Sequence, residues 1–277
     1  MSASLWPARL DHLRRDSADP QRLASFYGEL LGDRVEPLEG GCWLVAGRGR
    51  RLVVGGGAAG SVPYFALRMQ DEAHLAAYAR DLERAAIRCV PSPSPLFGPG
   101  AFAVADPDGR RVVFGLPLER DDGPNGLAGR LQHFVCATAR PQEMLDFYRD
   151  RLGMVESDRV LEGTELSASF LRSDPEHHSF ALFRAPESRP DHHCYETTGW
   201  LDIRDWADRV GRLGIALWWG PGRHGPGNNL FFMIEDPDGH KVELSAELEL
   251  MPKEMAWRTW PHEQRTLNLW GSAWMRS

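Results

Sequence analysis

Two segments of this chain follow the same sequence plan, and this internal duplication limits the possible folds more than any other feature. Three dipeptides of the first segment return 121 positions later, and the same offset aligns His12 with His133. The dipeptides are Pro20-Gln21, Phe26-Tyr27 and Leu31-Gly32, which return as Pro141-Gln142, Phe147-Tyr148 and Leu152-Gly153. A chain of 277 residues built from one repeated plan is predicted to fold as two similar domains.

The two copies differ just after a turn that they share. An Asp-Pro-Asp-Gly turn occupies 106–109 and again 236–239, and the second copy is nine residues longer up to this point. Seven residues after the first aspartate of the turn, the first copy has Val113 and the second has Glu243. Because only the second copy has a carboxylate at this position, we expect the chemistry of the protein to lie in its second half.

The predicted elements follow the same order in both copies. An apolar strand that contains the histidine precedes a helix that begins at a proline, over 20–31 and 141–152, and a glycine follows each helix. Three strands and a further helical crossover complete each copy. We therefore predict an α+β fold of tandem βαβββ modules, in which two similar domains each curve a mixed sheet around a pocket.

Turn-forming and polar residues mark the boundary between the predicted domains. The segment 119–126 is the natural linker, so the sequence predicts an N-terminal domain over 1–120 without a metal site and a C-terminal catalytic domain over 127–277. The second domain ends in a tail that is too aromatic for simple disorder. We expect this tail to pack on a domain or on a neighbouring subunit, which makes a homo-oligomer the expected assembly.

The composition of the chain argues against some classes of binding partner. The formal net charge of -7 gives no basic footprint for nucleic acid or for an anionic membrane. No run approaches the roughly 18 apolar residues that a membrane span needs. The four cysteines form no Cys-x-x-Cys pair, and no secretory leader is evident, so we expect free thiols in a cytoplasmic protein.

Histidines of the second copy provide the donors of a metal site. His133 on the first strand, one of the later histidines and Glu243 on the last strand would supply two imidazoles and one carboxylate. This donor set on one face of a metal is typical of non-haem Fe(II) oxygenases, and it leaves three coordination positions for substrate and O₂. Adjacent histidines on a strand point to opposite faces, so only one member of each His-His pair can line the pocket.

The spacing of these residues resembles that of the type I extradiol ring-cleaving dioxygenases, members of the vicinal oxygen chelate (glyoxalase/bleomycin resistance) superfamily, over nearly the whole chain. The matching motifs are Gln132-His133-Phe134, Glu176-His177-His178-Ser179, Asp191-His192-His193-Cys194, Pro221-Gly222-Arg223-His224-Gly225 and Val242-Glu243-Leu244. The resemblance implies that His133, His193 and Glu243 bind the metal. It also implies that His178 and His224 act on the substrate from outside the metal's ligand set, whereas His177 and His192 are interpreted as structural.

The same resemblance implies an activity. A catechol-type aromatic diol and O₂ would be the substrates, Fe(II) the cofactor with Mn(II) as a second option, and the ring would open beside the diol. His178 would transfer a proton, which suits an imidazole, and His224 would hold the substrate oxygen. One position departs from the family: Met233 stands where a tyrosine usually contacts the substrate, and a thioether cannot donate a proton.

Two other functions are compatible with such a chain. A redox-neutral metal-dependent lyase or isomerase of the same superfamily would polarise a carbonyl without using O₂. It generally needs a further glutamate base or a fourth ligand from the paired module, and Val113 occupies the duplicated position. A protein that binds an aromatic ligand without turnover usually lacks the ligand set, so the histidines and Glu243 argue against it.

Overall fold

The structure is a computed structural model that describes residues 5–120, 122 and 127–276. Most of the predicted linker over 119–126 therefore lies outside the described residues, and the domain boundaries at 120 and 127 stay predictions. The helices are α1 (Pro20–Leu31), α2 (Glu72–Arg84), α3 (Pro141–Asp146), α4 (Trp200–Arg212) and α5 (Gln264–Leu267). Among the described residues, no helix combines the length and the apolar character that crossing a bilayer requires.

The strands belong to two sheets. The first sheet contains β1 (Arg9–Ser17), β2 (Arg34–Leu38), β3 (Cys42–Gly47), β4 (Arg50–Gly56), β5 (Tyr64–Arg68), β6 (Val90–Pro91), β7 (Phe102–Ala105) and β8 (Arg111–Gly115). The second contains β9 (Arg130–Thr138), β10 (Val155–Glu162), β11 (Glu165–Arg172), β12 (Phe180–Arg184), β13 (Arg189–Thr197), β14 (Trp219–Arg223), β15 (Leu230–Glu235), β16 (Lys241–Ala246) and β17 (Arg258–Pro261).

Both sheets have the same strand order, which confirms the predicted fold class. The first runs β2-β3-β4-β1-β5-β8-β7-β6, and the second runs β10-β11-β12-β9-β13-β16-β15-β14 with β17 added beside β10. In each, the central strand pairs in parallel with one neighbour and antiparallel with the other. The predicted additional crossover is in fact the helix of a second βαβββ unit, so each module contains two such units.

Local sequence signals explain how the first helix of each module begins and ends. Asp19 caps α1 by accepting a hydrogen bond from the backbone N–H of Arg22 at 3.1 Å, and Pro20 occupies the first turn. Gly32 ends the helix at φ 69°, a left-handed conformation that favours glycine. The matching helix of the second module is α-helical only to Asp146 and continues as a π-helical turn over Phe147–Arg151.

The two modules exchange equivalent hydrogen bonds across their junction. Tyr27 on α1 donates to Asp236, in the Asp-Pro-Asp-Gly turn of the second module, at 2.9 Å. Tyr148, its repeat, donates to Asp106 in the turn of the first module at 3.0 Å. All four side chains are buried, so each module supplies a donor that the other module needs.

The arginines that pair with Asp106 and Asp236 both come from the first module. Asp106 is paired within its own module by Arg110 at 2.9 Å. Asp236 is paired by Arg15 of the first module at 2.8 Å, because its own turn continues with His240 instead of an arginine. One buried arginine therefore serves each aspartate, and in the second case it comes from the other half of the chain.

The aromatic tail packs on its own module. Strand β17 pairs in parallel with β10, and Trp274 meets the ring of Trp218 edge-on at 4.7 Å between centroids. Leu267 of α5 joins a small apolar cluster with Val135, Phe170 and other residues on one face of the second sheet. The tail thus covers the sheet face that carries the candidate site.

Candidate metal centre

Three neighbouring strands of the second sheet carry the predicted donors. Strand β13 lies between β9 and β16, and Cys194 is opposite both His133 and Glu243 in the ladder. Ladder partners project to the same side of the sheet, so His133, Cys194 and Glu243 share one face. Residues two positions from Cys194 on β13 project to that face as well. His192 is one of these residues, so it joins them on that face.

The side chains of His133, His192 and Glu243 converge on one buried point. Nε2 of His133 lies 3.6 Å and Nε2 of His192 lies 3.2 Å from Oε2 of Glu243. One donor atom from each of the three residues lies within 4.8 Å of the others. Nε2 of His133 is buried and has no hydrogen-bond partner among the described residues. Two imidazoles and a carboxylate, with Nε2 of His133 left without a partner among the described residues, fit a divalent cation.

The structure corrects the second imidazole of the sequence prediction from His193 to His192. His193 is on the opposite face of β13, where its Nδ1 lies 3.0 Å from Nε2 of His240 and its ring lies 5.7 Å from that of Tyr27. It therefore faces the junction with the first module and cannot reach Glu243 together with His133. Strand alternation is the physical reason, because neighbouring residues project to opposite sides.

Each of the three donor side chains has a polar partner that fixes its orientation. Nδ1 of His133 is hydrogen-bonded to Oε1 of Gln132, and Nδ1 of His192 lies 2.6 Å from Oδ1 of Asp191. Asn229 donates its side-chain amide to Oε1 of Glu243 at 3.2 Å. With Nδ1 engaged in both imidazoles, the two Nε2 atoms are left for a cation.

His178 stands beside the three donors. Its ring lies 4.4 Å from that of His133, and its Nδ1 is 3.0 Å from Nδ1 of His177. Nε2 of His177 is in turn 2.8 Å from Oδ2 of Asp158, which Arg258 also contacts. When His177 donates Nε2–H to Asp158 and His178 donates Nδ1–H to Nδ1 of His177, Nε2 of His178 is unprotonated and faces the cavity.

His224 approaches Glu243 from a loop that leads into β15. Its Nε2 lies 3.7 Å from Oε1 of Glu243, and its Nδ1 lies 2.5 Å from the backbone oxygen of Leu267. Its ring stacks on that of Phe231 with 3.8 Å between centroids. The tail and the sheet therefore hold this imidazole together, with Nε2 directed to the centre.

The donors open into a cavity with mainly apolar walls. Met233 is opposite Glu243 in the ladder between β15 and β16 and lines this cavity. The other apolar walls are Val135, Phe170, Phe183, Trp219, Pro226 and Leu267. An aromatic ring that enters the cavity would meet hydrocarbon and aromatic surface on most sides, and polar groups at the histidines around Glu243 and at Arg276.

The surroundings of the site keep the carboxylate of Glu243 ionised and shift the pKa values of His133 and His192 in opposite directions. Burial would raise the pKa of Glu243, but its contacts with His133, His192 and His224 hold that pKa well below its usual range. Burial lowers the pKa of His133, with Glu243 opposing. Burial also acts on His192, but Asp191 and Glu243 outweigh it and raise the pKa of His192.

The environment of His178 favours its neutral form. Burial lowers the pKa of His178 well below its usual value, and the neighbouring His133 and His177 add to this effect. A neutral imidazole with an unprotonated Nε2 can accept a proton from a group inside the cavity. The site thus combines a cation-binding donor set with one nearby base.

Sequence reasoning did not identify several residues that support the site. They are Gln132, Asp158, Asp191, Asn229 and Arg276. A local signal existed for two of them. In Asp11-His12, Gln132-His133, His177-His178 and Asp191-His192, the side chain before the inward-facing histidine contacts its Nδ1.

Comparison with known proteins agrees with this geometry. Residues 130–244 match the family model described as the Glyoxalase/Bleomycin resistance protein/Dioxygenase superfamily. The second module belongs to this superfamily. The match begins at the first residue of β9 and ends one residue after Glu243, so it includes all the donors described above.

Curated relatives are similar over part of their length. Metapyrocatechase 2 from Cupriavidus necator is 30% identical over 190 residues, which cover 69% of this chain and 58% of that protein. 3-Methylcatechol 2,3-dioxygenase from Pseudomonas putida is 28% identical over 163 residues, covering 52% of this chain and 55% of that protein. The chain thus spans little more than half the length of these relatives.

Solved structures share the fold over almost the entire chain. Homoprotocatechuate 2,3-dioxygenase from Arthrobacter globiformis has a TM-score of 0.82 at 22% identity, covering 99% of this chain and 91% of that chain. The Mn(II)-bound glyoxalase from Novosphingobium aromaticivorans has a TM-score of 0.79 at 23% identity, covering 95% of this chain and 91% of that chain. At these identities the likeness concerns the fold, which therefore accompanies more than one reaction type.

Proposed function

We propose that the protein cleaves the ring of a catechol-type aromatic diol beside the two hydroxyls, with O₂ as co-substrate. The observation that carries this proposal is the convergence of His133, His192 and Glu243 on one point, next to the neutral His178 and at the end of an apolar cavity. The names of the curated relatives, metapyrocatechase and 3-methylcatechol 2,3-dioxygenase, point in the same direction.

The proposed cofactor is Fe(II), with Mn(II) as the second option, held by Nε2 of His133, Nε2 of His192 and the carboxylate of Glu243. Bound to these donors, such an ion supplies Lewis acidity for the diol oxygens and a redox connection between the diol and O₂. Two neutral imidazoles and one carboxylate leave a divalent ion with a charge of about +1, which favours an anionic diol. The similarity to a manganese-dependent 2,3-dihydroxybiphenyl 1,2-dioxygenase keeps both metals in consideration.

The chain's own residues would orient the diol and move protons. We propose that Nε2 of His178 accepts a proton in the cavity and returns it to an oxygen atom as the ring opens. The link through His177 to Asp158 would keep the proton of His178 on Nδ1 before that transfer. His224 would hold a diol oxygen, since its Nε2 reaches the edge of Glu243 and its other nitrogen is fixed by the tail.

Met233 has a different role in this proposal from the tyrosine of the family. Its side chain is buried and lines the cavity directly opposite Glu243. Since a thioether offers only a weak acceptor, Met233 can shape the apolar wall but cannot donate a hydrogen bond to a diol oxygen. His224 then becomes the polar contact on that side of the substrate.

The decisive experiment measures oxygen consumption by anaerobically reconstituted protein. Metal-free protein is loaded with Fe(II) or Mn(II), mixed with 3- or 4-methylcatechol and exposed to ¹⁸O₂, while an electrode records O₂ and mass spectrometry follows the product. We expect one O₂ consumed per ring opened and both oxygen atoms in a yellow product. The matched control is Glu243→Gln, which keeps the shape of the side chain but removes its charge.

Two results would contradict the proposal. Metal-dependent turnover of a carbonyl substrate without O₂ uptake would favour the redox-neutral lyase or isomerase. Stoichiometric metal binding and tight catechol binding without any turnover would favour the non-catalytic binding protein. A homo-oligomeric state and a cytoplasmic location stay predictions, to be checked by light scattering and by cell fractionation.

A further inference from the structure

Arg276, the last residue that the structure describes, reaches the wall of the cavity and pairs with a buried carboxylate there. Its Nε and Nη2 atoms lie 2.8 Å and 2.7 Å from the two oxygens of Asp191. The side chains of Arg276 and Asp191 are 3% and 0% exposed. A bidentate pair of this geometry fixes both partners, and 85 residues of chain separate them.

Aromatic rings hold the guanidinium group of Arg276 on both sides. Its central carbon lies 3.8 Å from the ring centroid of Phe183 and 3.9 Å from that of Trp274. Its third nitrogen, Nη1, is 3.4 Å from the backbone oxygen of Trp274. The guanidinium thus has little freedom to turn toward a ligand in the cavity.

The contact continues from Asp191 to the metal centre. Oδ1 of Asp191 lies 2.7 Å from Nη2 of Arg276 and 2.6 Å from Nδ1 of His192. We propose that Arg276 is a positioning residue of the metal centre, which fixes Asp191 and through it directs Nε2 of His192 toward the ion. This inference rests on the proposed metal site. It means that the tail is a structural part of that site.

A cation in a cavity wall could instead receive a negatively charged substituent of the substrate. The geometry favours the positioning role, because Asp191 occupies the bidentate edge of the guanidinium and balances its charge. The remaining cavity walls are mainly apolar. The two roles differ in a measurable way: only the positioning role changes the affinity of the protein for a metal ion in the absence of any diol.

The experiment measures the dissociation constant for Mn(II) by electron paramagnetic resonance, with the full chain and no substrate. We expect Arg276→Ala to weaken Mn(II) binding by up to about tenfold, the lower end of the 10- to 100-fold that loss of a ligand's direct partner costs, because Arg276 acts through Asp191. Arg276→Lys keeps the charge but not the planar fork, so an intermediate loss is expected. Arg189→Ala is the matched control, because Arg189 is 3.7 Å from Asp191 and half-exposed, and we expect a change of less than about twofold.

A double-mutant cycle tests whether Arg276 acts through Asp191. If it does, adding Arg276→Ala to Asp191→Ala changes the Mn(II) affinity no further, whereas independent roles give additive losses. Circular dichroism and thermal unfolding of the metal-free variants separate a local effect from loss of the fold. If Arg276→Ala does not fold, the comparison of Arg276→Lys with the wild type still decides the question.

Unchanged Mn(II) affinity in Arg276→Ala or Arg276→Lys would overturn the inference. So would a variant that binds the metal normally but has a raised KM for 3,4-dihydroxybenzoate and an unchanged KM for 4-methylcatechol, because that result identifies Arg276 as an anion receptor. Failure of the wild type to bind Mn(II) would instead overturn the metal site. Failure of all diols to react, with metal bound, would overturn only the proposed reaction.

Discussion

The same histidine position has two different environments in the two modules. Nδ1 of His12 lies 2.7 Å from Asp11, and its Nε2 lies 2.6 Å from the hydroxyl of Ser94. Nδ1 of His133 is likewise bonded to the preceding residue, but its Nε2 has no partner among the described residues and faces Glu243. A shared strand position thus becomes a satisfied core histidine in one module and a candidate ligand in the other.

The space around the two histidines differs as well. In the first module the ring of Phe97 lies 4.8 Å from that of His12, and Val113 packs in the same apolar cluster as Phe97. In the second module the corresponding region remains a cavity that Glu243 and Met233 line. Side chains thus occupy in the first module the space that forms the cavity in the second. The two modules share one architecture, and a few residue differences distinguish the packed region from the cavity.

Glu243→Val would make the second module resemble the first at the position that distinguishes them, and we expect the largest effect. Removing a ligand should cost more than the roughly 10- to 100-fold in metal affinity that loss of a ligand's partner costs, so turnover should vanish. Metal content and Mn(II) titration measure the change.

The fold should persist in this variant. Loss of Glu243 leaves the side-chain amide of Asn229 without its acceptor and His192 with only one of its two carboxylates, which costs stability. The metal-free variant should therefore still unfold cooperatively, but at a lower temperature than the metal-free wild type. If Glu243→Val still bound nearly one metal ion per chain, the difference between Glu243 and Val113 would not explain why the two modules differ.

His178 has no histidine counterpart in the first module. Phe180 of β12 pairs with Phe134 as Leu52 of β4 pairs with Leu13, so the equivalent residue is Arg50. We expect His178→Asn to lower kcat by about 100-fold or more, because the variant cannot carry the proton. Metal affinity should stay within a few-fold of the wild type, since His178 is not one of the three proposed ligands. Stopped-flow kinetics and Mn(II) titration separate the two quantities.

Asp158→Asn tests the link behind His178 with a smaller change. The carboxylate fixes the proton of His177, so its loss should lower kcat by about tenfold and leave metal affinity unchanged. A variant of Asp158 as active as the wild type would show that the proton position on His178 does not depend on this link.

Acid should destabilise the second module of the metal-free protein. Burial lowers the pKa of four of its imidazoles, those of His133, His178, His193 and His240. An imidazole with a lowered pKa takes up a proton on unfolding, so its contribution to stability is complete above about pH 6.5 and is lost as the pH falls. The pKa of His192 is raised, so this imidazole stabilises the fold at lower pH. It is one imidazole against the four whose pKa is lowered.

Urea unfolding followed by tryptophan fluorescence measures this loss, because eight of the ten tryptophans lie in 127–277. The free energy of unfolding should decrease between about pH 6.5 and 5.5, by up to about 1.4 kcal/mol per pH unit for each such imidazole. Added Mn(II) should oppose the loss, because it binds the unprotonated imidazoles. A free energy of unfolding that is constant over this range would contradict the expectation.

Ser94→Ala should give the smallest effect, and only on stability. The substitution leaves Nε2 of the buried His12 without its partner, which costs about 1–3 kcal/mol. Metal affinity and kcat should not change, because His12 lies in the first module and the three donors lie in the second. Ser25→Ala, at an exposed position of α1, is the control. Altered turnover in Ser94→Ala would show that the first module influences the site.

The duplication predicted the fold well, and the site less completely. Repeated dipeptides fix the order of elements in each module, which is why the sheets could be anticipated. The choice between His192 and His193 could not be made from spacing alone, because a shift of one residue reverses the face of the strand. Arg276 could not be found at all, since its contact with Asp191 depends on how the tail folds back over the sheet.

The hydrogen bonds from Tyr27 to Asp236 and from Tyr148 to Asp106 have the symmetry of a two-fold dimer interface. Two separate copies of a single module could form both bonds with one self-complementary surface, as isologous dimers do. The present chain has the form of such a dimer joined into one polypeptide. Joining frees each half to change separately, so one half could lose its carboxylate while the other retained it.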